Sequence, residues 1–245
     1  MNLMSFGLAV ITLAALTSQG KAQWTTPSTD GTITTNEYGN HGGGLNAEYC
    51  PTSNAWYATW DDTNLYIGTV CNNVSEGRVV YIDFNPVSPA NGGTNANGSL
   101  TGQTYDRTVA TLNMRADFVM YFKNSYIEYR FADGSGGRGS ATANTLTHAT
   151  GGFHEEVQVP WSVITGGTRP ASFNWLAYAV YDYGASTNGA YDNVPLTNTG
   201  GAWNVTGPTT MPQMQHYLIS STGNGTSTKP FASAVPVALS RFSVE

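Results

Sequence analysis

Four kinds of side chain in this 245-residue sequence have the chemistry for catalysis or metal binding: carboxylates, histidines, cysteines and serines. Glycoside hydrolysis needs two carboxylates held across the scissile bond, about 5 to 10 Å apart. Glu155 and Glu156 are adjacent in a predicted strand, so they point to opposite faces and do not form that pair with each other. Asp83 and Glu156 can meet across a sheet, although nothing in the surrounding sequence marks them as a pair.

The four histidines are scattered along the chain: His41, His148, His154 and His216. No two of them are spaced as ligands on one strand or helix face, and no serine lies in a G-x-S-x-G elbow. The methionines, which could serve as haem ligands, are better explained as core residues. We therefore predict no catalytic residues, no enzymatic activity and no cofactor other than calcium, which is considered below.

Two cysteines, Cys50 and Cys71, lie on either side of a predicted hairpin. If that hairpin turns at residues 62–63, residue 54 faces residue 71, and Cys50 lies a few residues beyond the open end. A disulfide here would close a loop of about 20 residues and contribute about 3 kcal/mol on the chain-entropy model. The alternative, two buried free thiols, stays open, and a metal site is disfavoured because no histidine pair completes a zinc shell.

A loop of about 22 residues, 85–106, has no apolar periodicity and is rich in side-chain oxygen. Loops of this length in compact domains are often functional. Calcium prefers oxygen ligands, and Asn85 and Asp106 are the candidate metal ligands that the loop offers at its two ends. Only one of the loop's oxygen-bearing side chains is a carboxylate, so a plain solvated loop remains the alternative.

The elements that would position these residues are strands. Alternating or β-branched runs separated by turn residues predict strands over residues 56–60, 65–70 and 79–84 as a meander, and a hairpin over 117–122 and 126–131. Residues 173–181 are apolar on both faces, which predicts a strand that is covered on both sides. Strand parity predicts one shared interior for six side chains: Val80, Ile82, Phe84, Ile127, Tyr129 and Phe131.

Several motifs together resemble a known family. They are Asp30-Gly31-Thr32-Ile33 with Glu37-Tyr38, then WDDTNLYIG, VVYIDFNP and FHEEVQVPWSVI, in an order and spacing that cover roughly residues 24 to 215. This set resembles the family-nine carbohydrate-binding modules and the wider group of DOMON-like β-sandwiches. The resemblance implies a secreted all-β protein, a two-sheet antiparallel sandwich of jelly-roll type, that binds sugars in some members and haem in others. Glu156 occupies the position of a glutamate that the family carries before an apolar-x-apolar-Pro run.

Composition and the two ends of the chain predict that the protein is secreted. Residues 1–22 read as a signal peptide, because an apolar run over 6–16 precedes small residues. A β-sandwich domain is expected over 23–219 and a linker over 220–245, leading to a missing C-terminal module. Residues 235–245 resemble the start of the C-terminal region of proteins exported by the type nine secretion system of Bacteroidetes, which implies attachment at the cell surface. No other segment is a candidate membrane span.

Only 11% of the residues are charged and the net charge is −6, which argues against nucleic acid as a partner. Aromatic residues reach 12%, and sugar rings stack on exposed aromatic faces. Trp203, Tyr183 and Tyr191 lie in Gly-rich sequence that reads as loop, so they are the candidate carbohydrate-binding residues. We predict a polysaccharide-binding module, with a structural or adhesive surface protein as the alternative. Exposed tryptophans would favour the first and fully buried tryptophans the second.

Overall fold

The structure is a computed structural model that describes residues 26–34, 37–38, 55–71, 73–184, 188–195, 202–205, 209–214, 216–220 and 233–235; beyond residue 195 it describes the backbone only. The predicted signal peptide lies outside the described residues. Within the described part of the chain, no helix has the length and apolar character needed to cross a membrane.

Strands dominate the described residues. They follow one another along the chain, with one 3₁₀ turn (Asn95–Asn97) after β3 and one helical turn, α1 (Trp161–Ile164), after β10. The strands are β1 (Ala55–Trp60), β2 (Asn64–Val70), β3 (Gly77–Asp83), β4 (Ser99–Thr101), β5 (Thr108–Ala116), β6 (Phe118–Lys123), β7 (Tyr126–Phe131), β8 (Thr142–Ala143), β9 (Thr147–Gly151), β10 (His154–Pro160), β11 (Ser172–Asp182), β12 (Asn188–Val194), β13 (Ala202–Val205), β14 (Thr209–Met214), β15 (His216–Ser220) and β16 (Ser233–Val235).

Within the described residues these strands form three sheets. The front sheet has the order β1-β2-β10-β9, and the middle sheet has the order β13-β12-β11-β3-β6-β7-β8, with β15 and β16 added along β11. The back sheet has the order β14-β5-β4. Neighbours are antiparallel except β14 and β5, which are parallel. The predicted all-β antiparallel sandwich is confirmed, and the structure adds a small third sheet to the two that were predicted.

The main core lies between the front and middle sheets. Its largest members are Trp56 and Trp60 from β1, Trp161 from α1 and Trp175 from β11, all buried. Val80, Ile82 and Ile127 belong to this core, with Phe84 and Tyr129 packed at its margin, as the strand parity predicted. Phe131 is the exception: it is 37% exposed and contacts the core edge through Phe118, because β7 approaches the rim of the sheet there.

A second core lies between the middle and back sheets. It contains the other faces of β3 and β11, for example Val79, Tyr81 and Tyr178, packed against Leu112 and Met114 of β5. The prediction that residues 173–181 are covered on both sides is therefore confirmed. The sequence reasoning had not assigned a strand to residues 108–116, which supply the cover.

Local pattern predicted the hairpins correctly but not the sheet that each strand joins. β1 and β2 pair from Ala55↔Val70 to Trp60↔Leu65, and β6 pairs with β7 as expected. The predicted meander of three strands is wrong, because β3 leaves β2 and enters the middle sheet between β11 and β6. A single helical turn, α1, follows Pro160.

Three regions that had been read as irregular contain strands. The loop over residues 85–106 contains a 3₁₀ turn and β4. Arg115 stabilises this loop by donating to the carbonyls of Gly92 and Gly98 and to the side chain of Asn95. Residues 182–201 contain β12, and the C-terminal linker region contains β16, which pairs with β15. Each of these strands pairs with the strand before or after it along the chain, β4 with β5, β12 with β11 and β16 with β15. They were missed because β4 and β16 are only three residues long and β12 is rich in Gly and Asn, which are depleted in strands.

Candidate functional site

One end of the sandwich gathers four connections, and we call it the Tyr183 end. Its centre is the β2–β3 connection, residues 71–76. The backbone N–H of Cys71 donates to the carbonyl of Phe153 in the β9–β10 turn at 2.8 Å, and Asn124 in the β6–β7 turn donates to Val74 O at 3.0 Å. From the segment that follows β11, Tyr183 reaches the same connection with its hydroxyl.

Three tyrosines and one glutamate form the Tyr183 cluster: Tyr181, Tyr183, Tyr191 and Glu76. The rings of Tyr181 and Tyr183 are stacked, with centroids 5.5 Å apart and planes 29° apart. The Tyr191 ring lies 6.0 Å from that of Tyr181. The structure thus brings together two of the three predicted carbohydrate-binding residues. Tyr191 was expected in a loop, but it lies in β12, where its neighbours in the sheet half-bury it.

Glu76 holds the cluster together through its carboxylate. The hydroxyl of Tyr183 donates to Oε1 and that of Tyr191 donates to Oε2, so both oxygens are occupied by tyrosine. Burial, together with the hydrogen bond to Glu76, raises the pKa of Tyr191, and the hydrogen bond to Glu76 is the main reason why the pKa of Tyr183 is raised. Both phenols therefore stay neutral at physiological pH and keep donating to the carboxylate.

Tyr183 itself remains open to solvent. It is 63% exposed, although its ring is stacked on one side and its hydroxyl is bonded to Glu76 and lies 3.5 Å from the Asn73 amide. A ring that is fixed at one face and at its hydroxyl still offers the other face to a ligand. This geometry is suited to stacking, because little side-chain entropy remains to be lost on binding.

Arg78 lies beneath the cluster and is fully buried. Its guanidinium is 5.9 Å from the centroid of the Tyr191 ring, and it donates to the carbonyls of Asn73, Glu76 and Gly77. These bonds fix the path of the β2–β3 connection from below. The cation is therefore a structural support for the Tyr183 cluster, since its donors are directed to backbone carbonyls, to the Tyr191 hydroxyl and toward the buried Glu155.

Behind Arg78, a group of buried polar side chains continues into the main core. Glu155 lies 3.7 Å from Arg78, and His148 Nε2 lies 3.8 Å from Glu155 Oε1. Burial raises the pKa of Glu155 above its ordinary range. The group connects the front sheet to the middle sheet, since Glu155 is in β10 and Arg78 is in β3.

Phe153 is a feature of this end that the sequence reasoning missed. It lies in the two-residue turn between β9 and β10, is 63% exposed, and its carbonyl accepts from Cys71. The signal was present in the sequence as Gly151-Gly152-Phe153, a glycine turn followed by a large apolar residue. Phe153 and Tyr183 are the most exposed large apolar side chains in the described residues, and both contact the β2–β3 connection.

The described tryptophans are core residues, and the predicted binding tryptophan, Trp203, is described only in its backbone. The four whose side chains are described are fully buried, and Trp24 lies outside the described residues. Trp203 was expected in a loop, but its backbone lies in β13 opposite Ala190, and its side chain lies outside the described residues. Its role in carbohydrate binding stays a prediction, and the aromatic surface that the structure does describe consists of tyrosine and phenylalanine.

Comparison with protein-family models, with curated proteins and with solved structures gave no significant match. The fold is shown by the structure alone. The resemblance to family-nine carbohydrate-binding modules and DOMON-like sandwiches, and that of the C-terminal residues to a type nine secretion region, stay predictions.

Two of the motifs that carried the resemblance, Asp30–Ile33 with Glu37-Tyr38 and FHEEVQVPWSVI, meet around one buried carboxylate. Glu156 Oε2 accepts from the backbone N–H groups of Gly31 at 2.8 Å, Thr32 at 3.0 Å and Asp30 at 3.3 Å, and Oε1 accepts from Tyr38 Oη at 3.0 Å. Gly31 is needed here because its φ is +85° and a Cβ would lie 2.6 Å from the backbone of Thr150. These residues attach the N-terminal segment to the front sheet and make no contact with the Tyr183 cluster that the structure describes.

The two candidate calcium ligands have separate partners. Asn85 donates to Asp117 Oδ1 at 3.2 Å, whereas Asp106 accepts from Tyr121 at 3.1 Å and lies 3.5 Å from Lys123 Nζ. Among the described residues, no three histidine, cysteine or carboxylate side chains are arranged to hold a metal ion. Calcium binding by Asn85 and Asp106 stays a prediction.

Asp83 and Glu156, the carboxylates considered as a pair, have different surroundings. Asp83 accepts from the Asn174 amide at 2.8 Å in the middle sheet, while Glu156 binds the N-terminal segment on the outer face of the front sheet. Their partners place them on different sheets, which gives no support to a glycosidase pair. The absence of enzymatic activity remains a prediction.

Cys71 is a buried free cysteine among the described residues, and its Sγ donates to the Phe153 carbonyl at 3.3 Å. Burial raises the pKa of this thiol. The proposed partner, Cys50, lies outside the described residues, so the bridge stays a prediction.

Proposed function

We propose that this protein is a secreted, non-catalytic recognition module that binds carbohydrate at the Tyr183 end. The observation that carries the proposal is the Tyr183 ring, which is 63% exposed yet held by stacking on Tyr181 and by its bond to Glu76. The C–H groups of a pyranose stack on such a face, while the hydroxyls bond nearby amides and carboxylates. Asn73 and Glu76 are the nearest groups of that kind.

The charges at this end favour a neutral glycan. Arg107 pairs with Asp182 at 3.0 Å, and Lys123 pairs with Asp106 at 3.5 Å. Since these charges are paired, and the carboxylate of Glu76 accepts from Tyr183 and Tyr191, the described residues at this end offer a polyanion no uncompensated cationic patch. Binding by stacking and hydroxyl contacts is then expected to be nearly independent of salt.

The rival function is a structural or adhesive surface protein without a small ligand. The observation that favours it is that the four described tryptophans are core residues. The two most exposed rings among the described residues, Tyr183 and Phe153, favour recognition, because both lie at one end of the sandwich beside polar side chains that can bind sugar hydroxyls.

The experiment is a glycan array probed with residues 23–219, followed by isothermal titration calorimetry on the best hit at 50 and 500 mM salt. We expect modest affinity that changes less than about twofold between the two salt concentrations. Failure of every neutral polysaccharide to bind would overturn the proposal and leave the structural role in its place. Strong salt dependence would contradict the neutral-glycan assignment.

A further inference from the structure

We infer that the site takes an extended glycan of more than one sugar unit, with Phe153 and Tyr183 each stacking on a different sugar ring. This inference rests on the proposed function and makes its substrate class specific. Phe153 would then be a second binding residue beside Tyr183.

The two aromatic residues are held at opposite ends of the β2–β3 connection. The backbone carbonyl of Phe153 accepts from the N–H of Cys71 at the start of the connection, whereas the hydroxyl of Tyr183 donates to Glu76 at its end. They extend from different sheets, since Phe153 precedes β10 in the front sheet and Tyr183 follows β11 in the middle sheet. The two rings are therefore separate points of attachment at one end of the sandwich.

Tyr183 has one ring face available. Its other face is covered by Tyr181, with the centroids 5.5 Å apart. A ring with one free face acts as a one-sided platform for a sugar. Because Phe153 lies at the other end of the β2–β3 connection, a ligand that stacks on both rings is longer than one sugar unit.

The β2–β3 connection between the two rings carries polar side chains. They are Asn73, Ser75 and Glu76, and Ser75 is exposed. Asn73 is already ordered, because its Oδ1 accepts from the backbone N–H of Ser75 at 2.9 Å. An amide, a hydroxyl and a carboxylate along the connection supply hydrogen-bond partners for the hydroxyls of a chain that crosses it.

The test uses linear neutral oligosaccharides of glucose, xylose and mannose, from one to six units, titrated into wild type, Phe153→Ala, Tyr183→Ala and the double variant. Phe131→Ala is the matched control, because Phe131 is an exposed aromatic residue at the end of β7 that lies away from the β6–β7 turn and the Tyr183 end. Thermal unfolding of each variant confirms that it is folded. We expect the hexamer of the preferred sugar to bind at least about tenfold more tightly than the monosaccharide.

Each single variant should bind the hexamer about tenfold more weakly than wild type does. The double variant should bind it more weakly than either single variant, and the control should bind it as wild type does. Equal affinity for one and six units, or wild-type affinity in Phe153→Ala while Tyr183→Ala is weakened, would overturn the extended-chain inference and leave the proposed function intact. If none of the oligosaccharides binds and the array is also blank, the proposed function itself fails.

Discussion

Asp83 shows at the scale of a residue how burial changes chemistry. It is 1% exposed, accepts from Asn174 and from the backbone of Asn85, and lies near the carboxylate of Asp117. Burial, and then the charge of Asp117, raise its pKa from 3.8 to about 7. The folded protein therefore keeps a proton on Asp83 at pH values where the unfolded chain has lost it.

This proton predicts the pH dependence of stability. The folded pKa is raised, so the folded state binds more protons than the unfolded state between about pH 4 and pH 7, and stability falls as pH rises through that window. The shift corresponds to about 4 kcal/mol at most. Asp83→Asn should flatten that part of the curve, and urea unfolding at pH 4.5, 5.5, 6.5 and 8 measures it. Asp62→Asn, at a largely exposed carboxylate, is the control; a wild-type slope in Asp83→Asn would contradict the assignment.

Ile82 tests the main core directly. It is fully buried and lies between Trp175 and Phe118 in the middle sheet. Ile82→Ala should cost about 2 to 5 kcal/mol in the free energy of unfolding, because it leaves a cavity that the neighbouring rings cannot fill. Leu100→Ala in the half-buried β4 is the comparison and should cost less. A loss below about 0.5 kcal/mol for Ile82→Ala would show that it does not face the core.

Sequence reasoning at this scale succeeded where apolar residues alternate and failed where they do not. Ile82 and Ile127 were assigned to the interior from alternation alone, and the structure confirms both. Tyr191 was read as loop because its strand, NGAYDNV, is rich in Gly, Asn and Asp, which are depleted in strands, yet β12 pairs with both β11 and β13. Phe153 was overlooked because a single exposed ring in a glycine turn has no periodicity to detect.

At the scale of elements, the N-terminal segment depends on the front sheet. The backbone N–H groups of residues 30–32 share one acceptor, Glu156, and the N–H of Ile33 donates to His154 Nδ1 at 2.8 Å. The segment covers the outer face of β1 and β2 with Ile33 and Tyr38, which pack on Tyr57 and Tyr66. One carboxylate thus orients a segment more than 120 residues away in sequence.

Glu156→Gln is predicted to loosen that segment. The amide keeps one acceptor oxygen for the three backbone N–H groups but loses the negative charge that strengthens these bonds, and its NH₂ group removes the acceptor of the Tyr38 hydroxyl. We expect this to cost about 1 to 3 kcal/mol. Hydrogen exchange at the amides of residues 31–33 should become faster, while exchange in β3 stays unchanged. Glu128→Gln is the control, since Glu128 also accepts from tyrosine hydroxyls but lies in the middle sheet. Unchanged exchange in residues 31–33 would show that Glu156 does not hold the segment.

The strands themselves were largely predictable, and their sheets were not. Turn residues Asp61 to Asn64 specify the β1–β2 hairpin, because Asp61 Oδ1 accepts from the N–H groups of Thr63 and Asn64 at 2.7 Å. β3 follows β2 in sequence, yet it pairs with β11 and β6. Its two apolar faces were consistent with a central strand, but apolar pattern alone does not name the partners.

At the scale of the whole molecule, the two cores make the middle sheet the most enclosed layer of the described residues. The Tyr183 end is built by connections that Arg78 fixes from within the protein. The two most exposed aromatic rings among the described residues, Tyr183 and Phe153, both lie at this end. Which end carries them could not be predicted, because it depends on β3 crossing between the sheets.

Carbohydrate recognition at the Tyr183 end is tested most directly by calorimetric titration of the best array glycan into Tyr183→Ala and Phe131→Ala. We predict that Tyr183→Ala raises Kd about tenfold, the loss of one stacked ring, with a nearly unchanged Tm, and that Phe131→Ala binds as wild type does. Tyr183→Phe separates the ring from its bond to Glu76 and should retain most of the affinity. Wild-type Kd in Tyr183→Ala, with the glycan still bound, would contradict the assignment of the site.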